Sequence, residues 1–338
     1  MRPFQYLKAT NVAGALRAGR DASDDPSATA YLAGGTTLLD LMKLDVIGPT
    51  RLIDLRALAS EHGTIRVDGD ALRLGAFASM AAAADHPDVR ERAPVIAQSL
   101  SLAASAQLRN MATLGGNVLQ RTRCAYFRDP SWAACNKRRP GSGCAAVGGA
   151  NRQHAVLGAG ADCIAAYPGD FAQALIALDA TVRLVGPEGA RSIAFSDLHR
   201  DPKGAPHLET TLKPGEIVTE FVVPAARWAR RSLYLKIRDR QSYEFAVTSA
   251  AVALDIEDGV VGEARIALGG VATRPWRATT AEETLRGAVL TEARAAEAGR
   301  AAFAGAVAQS HNAFKIELGR RTIVRALLAA AAMEVDHG

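Results

Sequence analysis

The chain has 338 residues, with 40 Lys and Arg against 35 Asp and Glu, for a formal net charge of +5. That length predicts two or three domains. With 49% hydrophobic and 22% charged residues, the chain is neither disordered nor collagen-like. No run approaches the roughly 18 to 20 uncharged apolar residues of a membrane helix. The opening residues 1–8 lack an apolar core and a small-residue cleavage site, so they read as mature protein and not as a signal peptide. A positive balance fits nucleic acid, an anionic cofactor or neither. Four cysteines fit two disulfides, a metal site or unrelated thiols.

Residues 1–60 alternate helix and strand signals: a helix over 11–20, a short buried strand at 31–33, helical spacing from Leu38 to Met42, and a strand at 51–55. Two alternating runs, 64–67 and 71–74, flank Asp68-Gly69-Asp70 as a hairpin. Residues 78–108, rich in Ala and Leu, predict two helices interrupted near Pro87 and Pro94. Residues 118–163 then lose apolar periodicity and are too long for an idle connection. A helix over 171–180 and a strand over 181–185 restore it. Beyond about residue 227, strands at 232–238, 246–256 and 263–271 precede helical stretches over 280–309 and 316–333. The expectation is an α+β chain. Domain 1–226 has subdomains 1–60 and 61–226 and an insert at 118–163. Domain 227–333 is a three-stranded antiparallel sheet with helices.

Three constellations carry chemistry. In Ala33-Gly34-Gly35-Thr36-Thr37-Leu38, a strand runs through two glycines and two threonines into a helix. Such a turn suits a phosphate or pyrophosphate, and equally an ordinary capped turn. In Arg109-Asn110-Met111-Ala112-Thr113-Leu114-Gly115-Gly116-Asn117, two glycines again sit among a hydroxyl, an amide and a cation. Neither stretch is a GxGxxG fingerprint or a Walker A loop. The third is the set Cys124, Cys135, Cys144 and Cys163, all within the irregular insert. Its spacing lacks zinc-ribbon pairs and ferredoxin runs, leaving an iron–sulfur cluster, zinc, disulfides or unrelated thiols open. His62, His86, His154, His199, His207, His311 and His337 show no metal-ligand spacing; His154, inside the cysteine loop, could touch a cluster but reads first as a surface histidine. The insert also holds Arg121, Arg123, Arg128, Lys137, Arg138, Arg139 and Arg152 against Asp129 and Asp162, a balance equal to that of the whole chain. The positive charge therefore sits with the cysteines in one segment. No catalytic residue is nominated.

The two Gly-Gly stretches in this order resemble the FAD subunit of the molybdenum hydroxylases, the family of xanthine dehydrogenase, carbon monoxide dehydrogenase and aldehyde oxidoreductases. Tyr167-Pro168-Gly169-Asp170 and Phe314-Lys315-Ile316-Glu317 continue the resemblance along essentially the whole chain. The stretches around Cys124, Cys135 and Cys144 are similar to the insert of a smaller group, the FAD subunits of bacterial periplasmic aldehyde oxidoreductases, with hydroxybenzoyl-CoA reductase the nearest competitor. The resemblance implies a two-part FAD-binding domain of the vanillyl-alcohol-oxidase type and a C-terminal domain of the CO dehydrogenase flavoprotein type. It implies that Ala33, Gly34, Gly35, Thr36, Thr37 and Leu38 wrap the FAD pyrophosphate, and that Thr113, Gly116 and Asn117 meet the phosphate or ribityl region. Asp170 would serve the adenosine end, Val218 the adenine and Lys236 the flavin ring. Cys124, Cys135, Cys144 and Cys163 would hold a 4Fe-4S cluster. The implied role is electron transfer to an external acceptor, with a large molybdenum-cofactor subunit and a small 2Fe-2S subunit as partners, no nucleic acid and no membrane insertion. The implied location is the periplasm, reached by co-export with a signal-bearing partner, and otherwise the cytoplasm. A xanthine-dehydrogenase-like complex, a non-redox assembly module with a zinc or disulfide loop, and a self-contained flavin oxidase stand as alternatives.

Overall fold

The computed structural model describes residues 1–20 and 28–335, so His337 lies outside the described residues. The first subdomain contains β1 (Gln5–Lys8), α1 (Val12–Arg20), β2 (Thr29–Leu32), α2 (Leu38–Lys43), β3 (Arg51–Asp54) and α3 (Ala59–His62). Its strands form a parallel sheet in the order β1-β3-β2. The middle of this sheet is buried through Leu52 and Ile53, as two-sided packing requires.

The second subdomain starts with the hairpin β4 (Ile65–Asp68) and β5 (Ala71–Gly75), then α4 (Met80–Asp85), α5 (Pro87–Arg92), α6 (Pro94–Ser101), α7 (Ala106–Met111) and α8 (Leu114–Val118). Two helices were expected over 78–108 and four form. Pro87 and Pro94 do not merely interrupt; each opens a new helix from its first turn, where a missing N–H costs nothing. Ser79 and Ser105 cap their helices by accepting from the amides of Ala82 and Leu108. The insert holds a short helix, α9 (Ala125–Arg128), and is otherwise turns. After it come α10 (Phe171–Ala177), β6 (Thr181–Gly186), β7 (Gly189–Ala194) and β8 (Ile217–Pro224), completing an antiparallel sheet in the order β4-β5-β8-β6-β7.

The C-terminal domain comprises α11 (Arg227–Arg230), β9 (Ser232–Ile237), β10 (Thr248–Glu257), β11 (Val260–Gly269), β12 (Trp276–Arg277), α12 (Thr279–Leu285), α13 (Glu292–Ala302) and α14 (Phe314–Ala331). Its sheet has four strands, β12-β11-β10-β9, not three. The added strand is two residues long, below the length at which alternation is visible in sequence. The two faces of this sheet bury different cores. Tyr234, Ala251, Ala253 and Ala267 join the core of the N-terminal domain, whereas Ala250, Val252, Leu254, Ile266 and Leu268 join the helices α12 to α14. Among the described residues no helix is long and apolar enough to cross a membrane.

Candidate cofactor site

The first Gly-Gly stretch turns the chain from β2 into α2. Gly35 adopts φ +75°, a left-handed conformation that favours glycine. Gly34 is where the two glycine loops meet: a Cβ there would lie 2.1 Å from the carbonyl oxygen of Met111. The second loop is pinned from beneath. Met80 N donates to Ala112 O at 2.9 Å, Leu114 N to Ala78 O at 3.0 Å and Gly115 N to Ala76 O at 2.8 Å. Thr113 caps α8 by accepting from Gly116 N at 3.1 Å. The amides of residues 34–38 find no acceptor among the described residues, and Thr37 makes no side-chain capping bond.

These loops enclose a cleft of about 240 Å³ lined by Ala33 to Leu38, Thr113, Gly116 and Val218. On the other side of Thr36 and Thr37 lies a cavity of about 500 Å³, reached by Asn117, Asp170, Tyr243 and Phe245. A trough made of these two cavities, which share Thr36 and Thr37 and have the free amides of residues 34–38 between them, fits a dinucleotide whose pyrophosphate sits between two larger ends. Asn117 adds an orphaned group. Its Nδ2 contacts Met80 Sδ at 3.3 Å, while its Oδ1 is buried with no partner. A buried acceptor left open in this way fits a ligand donor.

Asp170 and Lys236 are grouped differently from expectation. Asp170 lies in the larger cavity, across the waist from Val218, so the structure does not bring it to the end that Val218 occupies. Its Oδ2 accepts from Lys236 Nζ at 2.7 Å and its Oδ1 from Tyr234 Oη at 2.5 Å. Burial pushes the Asp170 carboxyl above the ordinary carboxylate range, against the pull of the Lys236 ammonium. Lys236 lines neither cavity; it stands behind Asp170, with Nζ also donating to Leu102 O at 3.0 Å. Arg121, read in sequence only as one of the insert's cations and not as a cofactor residue, lines the smaller cleft and pairs with Glu209 from 88 residues away. No local pattern could have signalled that pairing.

The four cysteines are free thiols, drawn together by the insert. Cys135 and Cys144 face each other in an isolated antiparallel bridge, and Cys163 pairs similarly with Gly160. Burial pushes the Cys124 thiol up to about 12, and proximity to Cys163 and Cys135 adds to the rise. Cys163 is raised first by burial and again by Cys144 and Cys135. Among the described residues, no three His, Cys, Asp or Glu side chains converge as a single ion would require. A centre that interposes its own iron and sulfide would hold its ligating thiols further apart than a single ion does. A cationic centre would also supply the charge that these thiols need in order to ionise.

The insert's cations are not left free to balance that centre. Arg123 and Arg128 pair with Asp40 on α2 at 3.1 and 2.8 Å. Arg121 and Lys137 pair with Glu209, and Arg152 with Asp239 at 2.8 Å. Burial alone would raise Glu209, but Arg121 and Lys137 outweigh it and hold the carboxyl below its usual range. Arg138 instead donates to the carbonyls of Tyr126, Phe127 and Trp132, closing the turn that follows Cys124. The concentrated charge seen in sequence is therefore mostly structural. His154 likewise is buried, not superficial, with Nε2 3.2 Å from Cys124 Sγ.

This trough and fold define the FAD-binding subunits of molybdopterin-dependent dehydrogenases, and the chain belongs to that family. The family described as "FAD binding domain in molybdopterin dehydrogenase" matches residues 2–226, and "CO dehydrogenase flavoprotein C-terminal domain" matches residues 233–335. The chain is 42% identical to the aldehyde oxidoreductase FAD-binding subunit PaoB of Escherichia coli (strain K12), over 98% of this chain and 99% of that protein. It is 28% identical to the carbon monoxide dehydrogenase medium chain of Afipia carboxidovorans, over 85% of this chain and 81% of that one. Among solved structures, carbon monoxide dehydrogenase from Hydrogenophaga pseudoflava superposes with a TM-score of 0.75 at 26% identity, covering 98% of each chain.

Proposed function

We propose that this chain is the FAD- and 4Fe-4S-carrying electron-transfer subunit of a heteromeric, molybdenum-dependent aldehyde oxidoreductase. The observation that carries the aldehyde reading is the 42% identity to PaoB, sustained from end to end. The four free, mutually close thiols support the cluster. Bound FAD would accept electrons delivered from partner subunits and release them to an external acceptor. The protein's share is positional. Residues 34–38 offer amides to the pyrophosphate, the Asn117 carbonyl accepts from the cofactor, and Cys124, Cys135, Cys144 and Cys163 are the sulfur donors. A large molybdenum-cofactor subunit and a small 2Fe-2S subunit complete the proposed complex. Its proposed location is the periplasm, with this chain carried there, folded, by a signal-bearing partner.

Purifying the chain with its co-expressed partners tests the assignment. Flavin absorbance and about four irons per chain beyond the small subunit's content are expected. A complex without FAD, or with iron only in the small subunit, overturns it. Deleting the partner's signal should leave this chain in the cytoplasmic fraction; unchanged periplasmic recovery would refute co-export.

A further inference from the structure

His154 is only 5% exposed, yet its ring serves no core-packing network of polar groups. Nε2 lies 3.2 Å from Cys124 Sγ, and Nδ1 is buried without a partner. The ring is aimed by its own backbone. His154 N donates to Asn151 O at 3.0 Å. Its carbonyl oxygen accepts from Lys315 Nζ at 3.1 Å and from Asn312 Nδ2 at 3.2 Å, both from the start of the C-terminal helix region. Tyr126 flanks the ring at 6.2 Å between centroids. Such support from three segments fixes the ring against one particular sulfur.

A neutral imidazole has one N–H to give. Placed on Nδ1, that hydrogen would meet no acceptor, and the Nε2 lone pair would face a thiolate. Placed on Nε2, it points at the sulfur. Resting on the proposed cluster, we infer that His154 is a positioning residue for it: its Nε2–H donates to the Cys124 thiolate and raises the cluster's reduction potential. A hydrogen bond to a ligating sulfur withdraws charge from it, which favours the more negative, reduced state.

The test uses the assembled complex with wild-type, His154→Leu and His154→Gln chains. Leu removes the donor and keeps apolar bulk, whereas Gln retains an N–H. Iron and flavin content are measured first, then the potential of the 4Fe-4S signal by EPR-monitored redox titration. Full iron in all three, a potential lowered in His154→Leu and a near wild-type potential in His154→Gln, is the expected result. Cluster loss in His154→Leu with retention in His154→Gln also supports the donor role. An iron-replete His154→Leu with unchanged potential overturns the proposal. Equal shifts, or equal cluster loss, in both variants do so as well, since the N–H would then be irrelevant. Absence of this cluster from the wild-type complex would refute the cluster assignment itself, on the iron assay and before any variant is compared.

Discussion

Gly34 has no room for a methyl group, because Met111 O would stand 2.1 Å from it. The obstruction is backbone and cannot swing aside, so Gly34→Ala must part the two loops that form the waist of the trough. We expect at least a tenfold loss of FAD retained through purification, read from flavin absorbance per protein. Gly69→Ala is the matched control. Gly69 has a positive φ of +57°, unlike Gly34, but a methyl group there would meet nothing within 4 Å, so only strain of about 1 kcal/mol should follow, with FAD retained. His199 makes a second prediction. Its ring packs between Tyr167 and Phe195, Nε2 sits 3.1 Å from Val118 O, and burial pushes its pKa down to about 4. The unfolded chain, with an ordinary histidine value near 6.5, then takes the proton first as pH falls. Stability should therefore be nearly full above about pH 6.5 and decline towards pH 4, with His199 accounting for a loss of about 2 kcal/mol by pH 5. In His199→Gln the drop in Tm between pH 7 and pH 5 should shrink; an identical drop would refute the assignment. The Gly-Gly-Thr-Thr turn was legible in sequence because its constraint is local. The side-chain contacts of His154 with Cys124 and of Asp170 with Lys236, and the bond from Lys315 to the His154 carbonyl, were not, since those partners lie between 30 and 161 residues away.

At the scale of elements, α2 joins the two sites. Its preceding turn is the Gly-Gly-Thr-Thr loop, its Leu41 packs with Phe127 and Cys135, and its Asp40 holds Arg123 and Arg128. The hydrogen bond from Arg128, the largest influence on Asp40, holds that carboxyl below its usual range. Asp40→Ala would leave two half-buried guanidinium groups without their carboxylate and free α2 from the insert. Iron content and FAD content should fall together in that variant, measured on one sample. Loss of iron with undiminished FAD would show that α2 does not couple them. Strand and helix identity were largely readable at this scale, where apolar periodicity persists over several turns, as in β10, β11 and α14. The insert's organisation was not, because it is built on three carboxylates, Asp40, Glu209 and Asp239, that lie outside it. Charge counting within a segment misses counterions supplied by the fold.

Across the whole molecule, the boundary near residue 227 separates sequence regions but not cores. Tyr234, Ala251, Ala253 and Ala267 of the C-terminal sheet belong to the apolar cluster that contains Phe171, Leu175 and Phe221. The polar ties run the same way. Asp170 depends on Lys236 and Tyr234, the carbonyl of His154 on Lys315, and the amides of Val156 and Leu157 on Val271 O at 2.8 and 3.0 Å. Every residue lining the smaller cleft nevertheless lies within 1–226. Two views therefore predict different behaviour for a chain cut after residue 226. If the N-terminal domain stood alone, that fragment would bind FAD. The shared core instead predicts that it will not, because removing the sheet exposes a large apolar face and strips Asp170 of both partners while it remains largely enclosed. Gel filtration and flavin absorbance of the 1–226 fragment should show an aggregated or expanded chain without FAD. Co-expression with the 227–338 fragment should recover a compact, flavin-containing pair, since the interface is packed as a domain interior is. A monomeric, FAD-loaded 1–226 fragment would show that the two cores are energetically separate after all.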